Sequence, residues 1–181
     1  KSNNTPVHPV IAVREGDPEI EGTISGLWSK QARILTDVIP LELDQVRDGS
    51  AIVQDEGSQL VAQAFLLAEP TGPESAWLDM CAGPGGKAAL ISDSVPSGVE
   101  FIAVDQHTHR VDLMSKIIGP SATLLTGDAR ERPWGNRFFD RVLLDAPCSG
   151  LGALRRRPEA RWRKTKKQTL ELTELQEELL F

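Results

Sequence analysis

The sequence is poor in the residues that would cross-link or metallate a chain. It has two cysteines, Cys81 and Cys148, and neither belongs to a CxxC or any other ligand spacing. A structural zinc site is therefore not expected, and a reduced pair in a cytoplasmic protein is expected rather than a disulfide. No run approaches the roughly 18 apolar residues of a membrane span, and nothing at the start reads as a signal peptide. The first residue is Lys1 and not Met, so the chain is expected to begin inside a longer protein. Internal repeats and low-complexity tracts are absent, which excludes solenoids and linkers. The GxxxxGK[ST] phosphate loop and the GxGxxG dinucleotide fingerprint are missing too. A cytoplasmic monomer without metal is expected.

What is present suits one α/β domain with a real core. Of 181 residues, 40% are hydrophobic and 25% charged, ordinary values for a globular protein. Residues 1–53 carry Pro6, Pro9, Pro18 and Pro40 and short apolar runs, and read as a small α+β subdomain of strands and turns. From residue 54 the pattern changes. Leu60, Val61, Ala64, Phe65 and Leu67 keep helical spacing until Pro70 and Pro73 break it. Four short apolar runs follow, each ending at an acid: Asp79, Asp105, Asp128 and Asp145. Helical patterns from about Gly86 and over about 107–118 separate the first three. The third connection is short and polar, and its helix is expected to be vestigial. Alternation of this kind implies βαβ units and a parallel sheet, with ligands outside the carboxyl ends of the strands. Residues 170–181 place Leu172, Leu175, Gln176, Leu179 and Leu180 on one face of an amphipathic helix expected to pack on the sheet.

The net charge of −6 hides an asymmetry. Residues 155–167 hold Arg155, Arg156, Arg157, Arg161, Arg163, Lys164, Lys166 and Lys167 against the single acid Glu159. A local basic patch is what phosphate contacts require, although a solvated basic loop has the same composition.

Two segments carry chemistry. After the first run comes Cys81-Ala82-Gly83-Pro84-Gly85-Gly86-Lys87, a glycine-rich turn that lets backbone approach a ligand at a helix start. Asp105 follows Asp79 by 26 residues, a place where a carboxylate meets a ribose diol in nucleotide-binding α/β folds. Arg110 lies within reach of the same loop, and Asp128 suits an adenine amine. After the fourth run comes Asp145-Ala146-Pro147-Cys148-Ser149-Gly150, which presents a thiol and a carboxylate to the same cleft.

Together, D-x-C-A-x-P-G-G-K, D-A-P-C-S-G-x-G and R-R-R-P-E-A-R-W-R resemble the RNA 5-methylcytosine methyltransferases, most closely the bacterial 16S rRNA cytosine-5 enzymes of the Sun/Fmu (RsmB) type. The resemblance runs from about Val53, through Val-Gln-Asp-Glu-Gly-Ser-Gln, to Phe181. It implies a Rossmann-like class I methyltransferase fold over residues 54–181, C-terminally incomplete, with S-adenosylmethionine as cofactor and RNA, expected to be ribosomal, as partner. Cys81 through Lys87, Asp105, Arg110, Asp128 and Asp145 would line the cofactor pocket. Asp145 and Lys87 would face the target cytosine, with Cys148 aiding product release. Arg155, Arg156, Arg157, Arg161 and Arg163 would grip phosphates, with Trp162 stacking on a base or anchoring the loop. The family's attacking cysteine lies in a later Thr-Cys-Ser motif, and the sequence holds no third cysteine. These residues alone are therefore expected to bind cofactor without turnover. The alternatives are a transfer-RNA target, attack by Cys148 itself in the manner of DNA cytosine-5 methylases, and a non-catalytic RNA-binding scaffold.

Overall fold

The computed structural model describes residues 8–14, 19–154, 158–159, 162 and 165–181. Two four-stranded sheets organise them. In the first, β1 (Val10–Val13), β2 (Thr23–Ser25), β3 (Ala32–Leu35) and β4 (Ala51–Val53) pair antiparallel in the order β2-β3-β1-β4. A short helix α1 (Asp44–Arg47) precedes β4. Ile11, Val13, Leu35 and Ala51 form its own small core, while Ala12 and Ile52 point the other way, into the main core of the molecule.

The second sheet is parallel, as the alternation of apolar runs and helical patterns predicts. It contains β5 (Ala76–Asp79), β6 (Glu100–Asp105), β7 (Ala122–Thr126) and β8 (Arg141–Leu143) in the order β7-β6-β5-β8. The chain moves outward from β5 through β6 to β7, then crosses back to lay β8 on the other side of β5. The loops after β5 and β8 thus diverge at a topological switch point, the usual ligand crevice of an open sheet. Strands buried on both faces are nearly continuous apolar runs; all four residues of β5 are buried, Ala76, Trp77 and Leu78 together with the terminal acid Asp79.

One face is covered by helices α2 (Glu56–Leu67), α3 (Gly86–Ser92) and α4 (Thr108–Ile117). Phe65 of α2 meets Trp77 of β5 edge to face at 5.5 Å, and Met114 of α4 packs with Trp77, Phe101 and Ala103. The Asp55 carboxylate caps α2 by accepting from the Ser58 N–H. At its other end, Arg141 donates to the Phe65 and Leu66 carbonyls at 2.6 and 3.0 Å while paired with Glu74. That satisfies carbonyls a helix end leaves bare. Gln59, fully buried on α2, donates to the Ile11 and Gln54 carbonyls and accepts from the Ser29 hydroxyl. It ties the antiparallel sheet to α2.

The opposite face is covered differently. Between β7 and β8 the only helical piece among the described residues is a 3-10 turn, Ala129–Glu131, in keeping with the vestigial helix expected there. Trp134 and Phe139, edge to face at 6.0 Å, cover Leu78, Ile102 and Val104 instead. Helix α5 (Lys166–Leu180) follows, with Leu172, Leu175, Gln176 and Leu179 its less exposed residues. Leu180, expected on that face, is 66% exposed. The helix begins four residues earlier than the apolar pattern suggests. Thr165 and Gln168 form a capping box, which starts the helix inside the basic run.

Candidate active site at the switch point

The turn after β5 is shaped by two glycines. Gly85 has φ +108, and a Cβ there would sit 2.9 Å from the Met114 side chain. Gly83 donates its N–H to Asp105 Oδ2 at 3.1 Å, and a Cβ would collide with that carboxylate and with Arg110. The turn therefore lies directly on the end of β6, with Gly83–Pro84 cis. Asp105 is buried at 4% exposure. Its Oδ1 accepts from the His107 N–H at 2.8 Å, and its Oδ2 also accepts from Arg110 at 3.4 Å.

Asp128, after β7, accepts from the Arg130 N–H and is gripped by the Arg130 guanidinium at 2.6–3.1 Å. The Arg130 hydrogen bond holds this carboxyl below the ordinary range. The other arm of Arg130 reaches Glu178 on α5 at 2.5 Å.

Two cavities flank the turn. The first, about 280 Å³, is lined by Cys81, Gly83, Asp105, Arg110, Asp128, Asp145 and Cys148, with Leu175 and Leu179 of α5 closing it. The second, about 640 Å³, takes Ala82, Pro84, Gly86 and Lys87 from the turn, with Asp79 beneath them. Its other wall is the antiparallel sheet and the start of α2, through Pro9, Val10, Gln54, Asp55 and Ser58. Gly85 faces neither. Cys81, Gly83 and Asp145 line both and form the partition. Across it, Lys87 Nζ meets Asp145 Oδ2 at 2.5 Å. The structure thus brings the two specific motifs together and divides the turn's residues between two chambers.

Ionisation differs across the partition. Burial pushes the Asp79 carboxyl up to about 7, against the opposing pull of the Cys81 N–H and the Lys87 charge. Cys81 is pushed up to about 11 by burial and then by the Asp79, Asp105, Asp145 and Asp128 carboxylates. That keeps its thiol uncharged at neutral pH, which makes it a weak nucleophile. Cys148 is exposed.

Arg155, Arg156, Arg157, Arg161 and Arg163 lie outside the described residues; Trp162 is described and is 84% exposed. Among the described residues no group of His, Cys, Asp or Glu is arranged to hold a metal ion, and no helix is long and apolar enough to cross a membrane. The motifs did not reveal that the antiparallel sheet walls the second cavity through Gln54, or that α5 walls the first. Only the Val-Gln-Asp-Glu-Gly-Ser-Gln run pointed toward Gln54. Gln176, on the inward face of α5, donates to the Pro147 carbonyl at 2.7 Å and so holds the loop that carries Cys148.

Comparison with known proteins agrees with this geometry. A methyltransferase of Mycobacterium tuberculosis (strain ATCC 25618 / H37Rv) is 48% identical over 173 residues, 94% of this chain and 37% of its own. The ribosomal RNA small subunit methyltransferase B of Salmonella paratyphi B is 40% identical over 138 residues, 74% of this chain and 31% of its own. The chain thus spans about a third of the length of these curated relatives. The crystal structure of NSun6 from Pyrococcus horikoshii with SFG superposes with a TM-score of 0.64 at 28% identity, covering 77% of this chain and 35% of that one. The model of the 16S rRNA methyltransferase RsmB/F family matches residues 65–181. With nearly two-thirds of the chain matched by one family model, this protein belongs to the 16S rRNA methyltransferase RsmB/F family.

Proposed function

We propose that the protein transfers a methyl group from S-adenosylmethionine to C5 of a cytosine in RNA, with 16S ribosomal RNA as substrate. The observation that carries this reading is the Lys87–Asp145 pair at the partition between two cavities, one side lined by strand-end carboxylates and the other by a polar chamber. Residues 54–181 hold the chemistry, and residues 1–53 form a subdomain that closes the substrate chamber.

The first cavity fits the cofactor. Gly83, having no Cβ to strike Asp105 and Arg110, lets the turn lie against the end of β6, Asp105 keeps lone pairs for a ribose diol beside its protein donors, and Asp128 lies at the adenine end. S-adenosylmethionine, when bound, supplies an electrophilic methyl group. Everything else falls to the protein and the base.

Cytosine C5 is a poor nucleophile until a thiolate adds at C6. The C–S bond then forms, and the displaced electron pair gives C5 carbanion character. Asp145, reachable from the second cavity, hydrogen-bonds the pyrimidine edge and favours protonation at N3 as that charge develops. Lys87 orients Asp145 and tempers its charge. After methyl transfer, loss of the C5 proton returns the electron pair and breaks the C–S bond, with Cys148 aiding release. Neither Cys81, held protonated, nor Cys148 is the attacking thiol in this reading, so these residues alone bind cofactor without turnover. A base must leave its stack to enter such a chamber, and the basic run from Arg155 would hold the flanking phosphates while Trp162 stacks.

The test is methylation of 16S rRNA by the protein at its natural length, followed by nucleoside mass spectrometry. Formation of 5-methylcytidine supports the reading; a methylated base of any other kind overturns it. Trapping with RNA carrying 5-fluorocytidine locates the attacking thiol. An adduct through Cys148 would overturn its auxiliary role.

A further inference from the structure

Two residues that line the second cavity carry side-chain oxygens that the fold leaves unpaired. Among the described residues the buried side-chain atoms without a hydrogen-bond partner are Gln54 Oε1 and Asp79 Oδ1, and both residues line this cavity. A buried acceptor with no donor is costly, and such atoms are rare in folded proteins unless something else supplies the partner.

Gln54 is 8% exposed and is held at three points. Its N–H donates to the Val10 carbonyl at 3.0 Å, its own carbonyl accepts from Gln59 at 3.0 Å, and its carboxamide rests on Gly86, where a Cβ would come within 3.3 Å. Its backbone is thus fixed by the antiparallel sheet and α2, and its carboxamide lies against the start of α3. Its neighbour Asp55 is committed to capping α2. Gln54 therefore brings a buried, uncommitted side-chain acceptor to this wall, and it lines the chamber that also contains the Lys87–Asp145 pair.

We propose that Gln54 determines which pyrimidine is accepted: its carboxamide oxygen takes one N–H of the cytosine exocyclic amine while Asp145 takes the other. The inference rests on the function proposed above and adds the residue that selects the base. The amine of cytosine offers two hydrogens, and two acceptors await them. Uracil has a carbonyl oxygen at that position, which would face both acceptors and leave each unpaired. A site built this way rejects the wrong base more strongly than a shape-matched apolar pocket does, because its own buried groups lose their partners. Asp79, below, adds a further acceptor on the same side.

The experiment is titration of the ¹⁵N-labelled protein, saturated with S-adenosylhomocysteine, with cytidine 5′-monophosphate, uridine 5′-monophosphate and the 5′-monophosphate of 2-pyrimidinone riboside, which has no amine. The wild-type protein is expected to bind the cytidine nucleotide at least about tenfold more tightly than either analogue, with shifts centred on Lys87 and Asp145. Gln54→Leu should bring all three within about twofold of one another. Gln54→Glu, which keeps an acceptor, should retain the preference. The affinity for S-adenosylhomocysteine serves as the folding control. If Gln54→Leu does not fold, the analogue lacking the amine makes the same comparison on the wild-type protein. Equal binding of the three nucleotides by the wild-type protein, or a preference that survives Gln54→Leu, overturns the assignment. Absence of S-adenosylhomocysteine binding would instead bring down the methyltransferase reading, and this inference with it.

Discussion

The two cavities share a wall but treat their carboxylates in opposite ways. In the first, Asp105 and Asp128 are each engaged by donors from the fold: Gly83, His107 and Arg110 for one, Arg130 for the other. In the second, Asp79 is fully buried with one oxygen unpartnered, and the Gln54 carboxamide oxygen, on the same cavity, is likewise without a partner. Pre-paired groups are held near their working positions, so the first chamber is organised before any ligand arrives. The second holds polar capacity in reserve, and that reserve weakens the empty protein. A substrate that supplies the missing partners recovers the cost on binding, and only a substrate of matching pattern can do so.

The largest expected effect comes from removing the reserve at Asp79. Its carboxyl is pushed up to about 7 in the folded chain, against an ordinary value of 3.8. The folded state therefore keeps a proton that the unfolded chain has released, through the window from about pH 4 to about pH 7. Stability from this group is complete below the unfolded value and is lost as pH rises through 7, by about 4 kcal/mol in total. Asp79→Asn cannot ionise and should flatten that loss. Urea denaturation from pH 4.5 to 8 checks this: the variant and the wild-type protein should be close at the acid end, with the variant more stable at the basic end. A wild-type advantage at pH 8 would mean that the buried carboxylate is paired after all.

Next in size is the partition itself. Asp145→Ala leaves Lys87 without its partner and removes the acceptor from the pyrimidine edge. Methyl transfer by the protein at its natural length should fall about 10²- to 10³-fold, while affinity for S-adenosylhomocysteine changes by no more than a few fold. A loss confined to cofactor binding would assign Asp145 to the first cavity alone.

Gly83→Ala attacks the pre-paired side. The added Cβ meets the Asp105 carboxylate and Arg110, so the turn must lift off β6. Affinity for S-adenosylhomocysteine should drop roughly 10- to 100-fold by isothermal calorimetry. Unchanged affinity would show that the turn yields without disturbing Asp105.

How far these contrasts could be read in the sequence depends on the distance over which each is encoded. The parallel sheet and its acidic strand ends were legible, because an apolar run ending in Asp79, Asp105 or Asp145 is a local pattern. The turn from Cys81 to Lys87 was legible as a motif, but its division between two chambers was not. Ala82 and Gly83 are adjacent in sequence, yet Ala82 lines the second chamber alone and Gly83 lines both, and the turn is held by Val104 and Asp105, 22 residues away. Gln54 stayed hidden for the same reason. Its role arises from Val10, Gln59 and Gly86, which no spacing rule joins. The start of α5 was misjudged because Lys166 and Lys167 read as part of a basic loop, although the Thr165–Gln168 capping box was there to be seen.

The smallest predicted effect separates packing from pairing on the first cavity. Arg130 joins Asp128 to Glu178, and so fastens α5, whose Leu175 and Leu179 wall the chamber. Both ion pairs are partly exposed, and exposed pairs contribute little. Arg130→Gln should thus weaken S-adenosylhomocysteine binding only about twofold, with the change greater at low salt than at 0.5 M, where screening removes most of what the pair supplies. Asp128 would lose the partner that holds its ionisation low, so its carboxyl should titrate closer to the ordinary range by NMR. A much larger loss of affinity, insensitive to salt, would mean that α5 is held chiefly by this clasp. The first cavity would then be no more pre-organised than the second.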